Sequence, residues 1–368
     1  MRNFRSVRRV IVKVGTNVLT HQGTLDRAYI AELAAQVALV VKGGRNVCLV
    51  TSGAIGFGAS ALNLTGPVKD VVLRQACAAV GQPLLMQAYR ESFSRHGLEI
   101  AQVLLTREVL NNRISYVKLR NAVERLLEMG IVPVFNENDS VATAEIGTAF
   151  GDNDQLSALI ASKVDAELLI LLSDIDGYYD ADPRRNPHAV RLDSVEHVTP
   201  EMITAAGEAG SQYGTGGMVT KLKAVQIAAD GGCRVVLAHG KDPDILNRIL
   251  SGESVGTVFT ARRNLKNRSR WILHSEPRGW ITVDGGALAA IRNHNSLLPT
   301  GITAVSGLFE SGEVVMVNDV VKIVSGFSSA ELTSLIGKHS SEIRAIVGDG
   351  RKNIARPEDM VFLDEDGE

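Results

Sequence analysis

Short, fully apolar blocks alternate with longer amphipathic ones through the first two thirds of the chain, and each kind predicts its own element. "RRVIVKVGTNVL" reads as a buried strand ending in a glycine turn, and "NVCLVTSGA" as a second of the same kind. Between them, "TLDRAYIAELAAQVALVVKGG" sets Ile30, Leu33, Val37 and Val40 at helical spacing, with Thr24 as the expected cap and Gly43-Gly44 as the stop. Helical patterns follow over roughly 70–96, with Pro83 as a kink or break, and over roughly 115–129. "IAQVLLT" and "GIVPVFNEND" read as strands. Further on come helix "DQLSALIASKV", strand "AELLILLSD", helix "TKLKAVQIAADGG" and strand "CRVVLAHG". Apolar strands alternating with helices predict a mainly parallel sheet covered on both faces, hence an α/β fold in three layers, αβα. In such sheets ligands sit beyond the carboxyl ends of the strands.

The pattern changes near residue 262. Arg262, Arg263, Lys266, Arg268 and Arg270 fall in a stretch with little periodicity. Short strand-like pieces follow, "GWITVDGGA", "ITAVSGLFESGEVVMVN" and "DVVKIVSGFSS", separated by glycine turns and accompanied by one helical segment at 329–336. The expected organisation is a catalytic α/β domain over 1–261, a basic linker over 262–277, a small β-rich domain over 278–352 and a frayed tail over 353–368.

Composition narrows the class. At 368 residues two domains are expected, and 45% hydrophobic with 22% charged residues is ordinary for a globular protein. A net charge of −2 argues against a general polyanion binder. Cys48, Cys77 and Cys233 are odd in number and widely spaced, which suggests neither a disulfide framework nor a cysteine zinc site. The eight histidines are scattered, so no metal-ligating residue is singled out. The start, "MRNFRSVRRVIVKVG", lacks a signal peptide's long apolar region, and no apolar run approaches the ~20 residues of a membrane span. A cytoplasmic protein with no membrane association is the expectation.

Candidate chemistry clusters at the strand ends. Lys13-Val-Gly15, Thr51-Ser52-Gly53, Asn136 to Asp139, and Ser173-Asp174 each follow an apolar strand, and together they would crowd one edge of the sheet. Lys13 ends an otherwise apolar strand, so its ammonium reaches either an anion or solvent; a lysine snorkelling at a strand tip reads as well. In "YGTGGMVTKLKAVQIA" the backbone N–H groups of Gly214, Gly216 and Gly217 can surround phosphate oxygens, with Thr215 or Thr220 capping the helix that follows. Lys221 in that first turn opposes the helix dipole unless an anion sits before it. A plain flexible loop is the other reading, since neither the Walker nor the dinucleotide spacing is met. "NENDSVATAEIGTAFGDNDQLSALIA" carries Asn136, Asn138, Asp139, Asp152, Asn153 and Asp154 with no basic residue, which suits either turn chemistry or recognition of an ammonium group. Together these parts describe phosphoryl transfer, with Asp154 holding the two lysines.

"IVKVGTNVLT", "LVTSGAIGFG", "VPVFNENDSVATAE", "GDNDQLSALIA", "LLSDIDGYYDADPRRNP" and "GTGGMVTKLKA", in this order, resemble the amino acid kinase family, and most closely its glutamate 5-kinase branch; residues from about 278 to 352 resemble the PUA domain that many members append. The resemblance implies ATP- and Mg2+-dependent phosphorylation of the side-chain carboxylate of L-glutamate to L-glutamate 5-phosphate, the first step of proline biosynthesis. It implies Lys13, Asp154 and Lys221 as catalytic residues and Ser52, Asp139 and Asn153 as glutamate ligands. Lys13, Ser173, Asp174, Thr215, Gly216, Gly217, Met218, Val219, Thr220 and Lys221 would contact ATP, with "YYDADPRRNP" near its base and ribose. It implies proline as a feedback inhibitor, a homo-oligomer (tetramer or dimer) and functional coupling to glutamate-5-semialdehyde dehydrogenase. One departure is the length of "IGTAF" between Glu145 and Gly151, which leaves the conformation of Ile146 to Phe150 open. Asp139 favours a free ammonium over the acetylated nitrogen of N-acetylglutamate. RNA binding, a common PUA role, is disfavoured, because residues 275–368 hold eight Lys and Arg against fourteen Asp and Glu.

Overall fold

The computed structural model describes residues 2–21, 24–142, 153–208, 217–261, 267–338, 342–343, 346 and 353–363. The chain forms two compact units, one of residues 1–108 with 118–264 and one of residues 109–117 with 265–368. Strands of the first unit are β1 (Arg9–Val14), β2 (Thr20–His21), β3 (Thr24–Leu25), β4 (Asn46–Val50), β5 (Ile100–Leu105), β6 (Val132–Glu137), β7 (Leu168–Ser173), β8 (Ser194–Val195), β9 (Arg234–His239) and β10 (Thr257–Phe259). Among the described residues, eight of them make one sheet in the order β5-β6-β4-β1-β7-β9-β10-β8, and β2 pairs with β3 alone. Every pairing in the large sheet is parallel except β9 with β10. The expected mainly parallel sheet is therefore present, with one antiparallel turn-back near its edge.

Alternation along β1 sorts its side chains. Val10, Val12 and Val14 enter a core built with Ile30, Leu33 and Val37 of the helix Arg27–Lys42, Leu85 and Phe93 of the helix Val71–Ser94, and Ile249 of the helix Ile245–Ser251. Lys13 points to the opposite face, where the helices Asn153–Lys163 and Met218–Asp230 pack on each other and the first of them packs on β1. That sidedness decides what Lys13 can meet.

Two local expectations need correction. The cap of the helix Arg27–Lys42 is Asp26, whose carboxylate accepts from the Tyr29 N–H at 3.0 Å; Thr24 belongs to β3 and its hydroxyl donates to the His21 carbonyl instead. The helix Val71–Ser94 runs unbroken through Pro83. The helix Ala54–Ala61 lies against it so closely that a Cβ on Gly58 would sit 1.7 Å from the Cys77 carbonyl, and one on Gly81 1.9 Å from that of Ala54. Gly58→Ala is expected to cost about 3 kcal/mol, lowering the melting temperature by roughly 6–12 °C for a domain of this size. Thermal denaturation of the purified variant checks it.

The second unit holds β11 (Gly279–Val283), β12 (Ile302–Gly307), β13 (Val314–Val317), β14 (Val321–Val324) and β15 (Met360–Phe362), ordered β12-β11-β13-β14-β15. Its core is Ile281, Val315, Val317, Val321, Ile323, Phe327 and Leu332 with their neighbours. The expected helix is Ser329–Leu335, started by a Ser328/Glu331 capping box. A second helix, Gly285–Arg292, was not legible in "DGGALAAIR". The stretch expected as a basic linker contains a third, Asn267–His274, whose Trp271 and Ile272 are buried with Tyr116, Val314 and Val361. Lys322 donates to the Leu273 and Ser275 carbonyls at 2.7 and 2.8 Å, satisfying the end of that helix; burial pulls its ammonium down to about 8, with Glu276 opposing.

Candidate active site

Four neighbouring parallel strands, β6, β4, β1 and β7, end at one edge of the large sheet, and their last residues carry the polar groups. On β1, Lys13 sits two residues before Gly15, whose N–H donates to the Leu172 carbonyl of β7 at 3.0 Å. The Lys13 ammonium meets Asp154 Oδ1 at 2.5 Å. Lys221 reaches Asp154 Oδ2 at 3.1 Å from the first turn of the helix Met218–Asp230. All three are nearly sequestered, with relative exposures of 6%, 1% and 7% for Lys13, Asp154 and Lys221. Burial works against the Asp154 carboxylate, but the charges and hydrogen bonds of Lys13 and Lys221 outweigh it, and its pKa lies below the ordinary value. One ionised carboxylate between two ammonium groups leaves a net positive centre aimed by a rigid sheet. Such a centre can receive a transferring anion.

The start of the helix Met218–Asp230 is partly described. Gly217 is the N-cap of the helix Met218–Asp230 and no side chain caps it. Thr220 does not take that role: its hydroxyl donates back to the Gly217 carbonyl at 2.8 Å. Among the described residues no side chain therefore accepts from the first-turn N–H groups of Met218 and Val219, the arrangement in which a helix start attracts an anion. Gly214, Thr215 and Gly216 lie outside the described residues. At the end of β7, the Ser173 hydroxyl donates to Asp174 Oδ1 at 3.0 Å, and Asn17 Nδ2 to Asp174 Oδ2 at 2.8 Å. Burial raises the Asp174 pKa, but these hydrogen bonds, its own backbone N–H and the Lys221 charge lower it by more. Asn17, in the turn after β1, carried no sequence signal of its role. Tyr178, which opens the "YYDADPRRNP" loop, is fixed by its N–H to the Thr257 hydroxyl at 2.8 Å.

The other half of the edge is a cluster of amides. Asn153 Nδ2 donates to the Thr51 carbonyl at 2.8 Å, the Ser52 hydroxyl at 3.1 Å and Asn136 Oδ1 at 3.0 Å. Ser52 is held by the turn at Gly53, which has φ +94° and no room for a Cβ beside the Phe57 ring. Asp139 follows β6, half-buried, and burial pushes its carboxyl up to about 6 against the partial opposition of Arg74. Of the expected site residues, then, the structure gathers Lys13, Asp154 and Lys221 in one cluster and Ser52 and Asn153 in another, with Ser173 and Asp174 at the neighbouring strand end. Asp152 and the loop Ile146 to Phe150 lie outside the described residues. Gln82 and Gln102, which extend the amide cluster, were missed from the sequence because a glutamine inside a helix or a strand looks ordinary.

Comparison with known proteins identifies the family. Residues 8–239 match the model of the amino acid kinase family, and residues 279–347 that of the PUA domain. A glutamate 5-kinase from Methanosarcina mazei is 42% identical over 98% of this chain and 98% of its own. One from Pelobacter propionicus is 43% identical over 94% of each, and one from Shewanella pealeana 43% identical over 97% of this chain and 98% of its own. The fold class is thus the αβα amino acid kinase fold with a β-rich PUA domain after it, and family membership implies ATP as phosphoryl donor. With the family model spanning residues 8–239 and relatives matched over nearly their whole length, the chain belongs to the amino acid kinase family, in the branch of glutamate 5-kinases that carry a PUA domain.

Proposed function

We propose that this protein transfers the γ-phosphoryl group of ATP to the side-chain carboxylate of L-glutamate, giving L-glutamate 5-phosphate, the first step of proline biosynthesis. The observation that carries the reading is the buried Lys13–Asp154–Lys221 cluster beside a pocket rich in acceptors. A glutamate carboxylate is already ionised at neutral pH and needs no general base. Its oxygen forms the new bond to the γ-phosphorus while the bond from that phosphorus to the β–γ bridging oxygen breaks. Two anions approach each other in this step, so the barrier is largely their repulsion and their alignment. Lys13 and Lys221 lower it by placing positive charge where the transferring oxygens lie, and Asp154 keeps both ammonium groups in place.

Both Asp154 oxygens are engaged by lysines, and no group of three or more His, Cys, Asp and Glu side chains converges among the described residues. Asp174, exposed at the end of β7, would hold a Mg2+ ion that arrives with the nucleotide phosphates. When bound, the ion neutralises phosphate charge. Asp139 and Asn153 are assigned to the substrate's α-ammonium, with Ser52 beside them. Ser173, Asp174 and residues 215–221 are assigned to ATP. We also take the catalytic domain to run over 1–261 and the PUA domain over 278–352. Proline feedback, a homo-oligomer, a cytoplasmic site of action and a consuming dehydrogenase belong to the same proposal.

The deciding experiment is ATP turnover with glutamate, N-acetylglutamate and aspartate measured side by side. Turnover with glutamate far above the other two is expected; a preference for the acetylated substrate overturns the assignment. The Asp139 carboxyl supplies a pH test with a definite sign. Its pKa is raised, so below about 6 it becomes neutral and loses its attraction for an ammonium. The glutamate KM should climb as pH falls through that value, and Asp139→Asn should abolish this limb of the pH profile.

A further inference from the structure

We propose that Gln82 is a positioning residue for the glutamate pocket, because the hydrogen bonds that pass from it through Asn136 leave Asn153 Oδ1 as a buried acceptor reserved for the substrate's ammonium. This deepens the glutamate assignment and rests on it.

The chain of amides has a direction that the backbone dictates. Asn136 Oδ1 accepts from the Glu137 N–H at 2.9 Å, and a backbone N–H can only donate. Asn136 Nδ2 is therefore its donor end, and it donates to Gln82 Oε1 at 2.8 Å. Gln82 in turn donates through Nε2 to Gln102 Oε1 at 3.0 Å. At the other end, the Thr51 carbonyl can only accept, which fixes Asn153 Nδ2 toward it. With Asn136 Oδ1 also taking a hydrogen from Asn153 Nδ2, the Asn153 amide has no freedom to turn over. Its Oδ1 is buried and has no hydrogen-bond partner among the described residues. Buried acceptors are costly to leave unpaired, and native structures keep them mainly where a ligand or water completes them.

Gln82 is well placed to hold this arrangement. It is buried in the middle of the helix Val71–Ser94, directly after Gly81, where that helix touches the Ala54 carbonyl backbone to backbone. An apolar residue there would leave Asn136 Nδ2 without an acceptor. Asn136 would then have reason to turn, and Asn153 would lose the partner that sets its own orientation. The phosphate-side lysines share no atom with this network, so the loss should fall on glutamate alone.

Steady-state kinetics on the full chain, with glutamate and ATP varied separately, tests this. Gln82→Met should raise the glutamate KM about tenfold, with kcat and the KM for ATP within about twofold. Gln82→Glu, which keeps an acceptor for Asn136, should restore the glutamate KM to within about threefold of the starting value. The preference for glutamate over glutarate, the same diacid without an ammonium, should narrow in Gln82→Met. An unchanged glutamate KM, parallel loss of affinity for both substrates, or equal behaviour of the Met and Glu variants would overturn the proposal. Should Gln82→Met not fold, Gln102→Leu at the exposed end of the chain is the substitute, and there an unaltered glutamate KM is the overturning result. If the unmodified protein fails to phosphorylate glutamate, the glutamate assignment itself falls; if it succeeds and Gln82→Met matches it, only the role of Gln82 does.

Discussion

Lys221→Ala should lower kcat by about a thousandfold, the upper range for removing one preorganised charge donor from a transition state. The glutamate KM should change by less than about threefold, because Lys221 bonds to Asp154 and not to the amide pocket. The substitution leaves Lys13 and Asp154 as a closed pair at 2.5 Å, so the protein should still fold. Steady-state and single-turnover measurements together check the point. A kcat near the original would mean that Lys221 does not touch the transferring group.

Asp154→Asn should be worse, since it replaces the carboxylate that both ammonium groups meet with a neutral amide. Turnover should fall by at least about a thousandfold. Stability should fall too, because stranding buried charges costs about 3–5 kcal/mol, or roughly 6–20 °C in melting temperature. The pH dependence carries a sign. The Asp154 pKa is lower in the folded state than in the unfolded one, so its stabilisation is present above the unfolded value and is lost as pH falls through the folded one. The gap in melting temperature between the original protein and Asp154→Asn should therefore narrow below about pH 4. A gap independent of pH would remove the carboxylate from this role.

What could be read from the sequence was what depends on neighbours along the chain. Apolar blocks followed by glycine and a polar residue marked β1, β4, β6 and β7, and their common direction brought those ends to one edge. Lys13 stood out as a lone cation in an apolar strand. Lys221 stood out because it opposes a helix dipole. What could not be read depends on partners far apart. Gln82 and Asn136 are 54 residues apart, and Asn17 and Asp174 are 157 apart. Thr24 lost the cap to Asp26 because two good capping residues lay within three positions and only geometry separates them. The helix Asn267–His274 was hidden by its basic residues, since Trp271 and Ile272 are adjacent and give no repeating apolar stripe.

The stretch Val109–Val117 belongs to the second unit although it is written in the middle of the first. There the Trp271 indole N–H donates to the Leu110 carbonyl at 3.2 Å, and Tyr116 shares its burial with Trp271 and Val314. A gene stopped at codon 264 would thus encode an enzyme whose wound is internal: Tyr116 would lose its apolar cover and the Leu110 carbonyl its donor, some 150 residues upstream of the new terminus. Anyone trimming this protein for expression would need to replace Tyr116 with a polar residue first, and a lineage that shed its appendix would have faced the same repair.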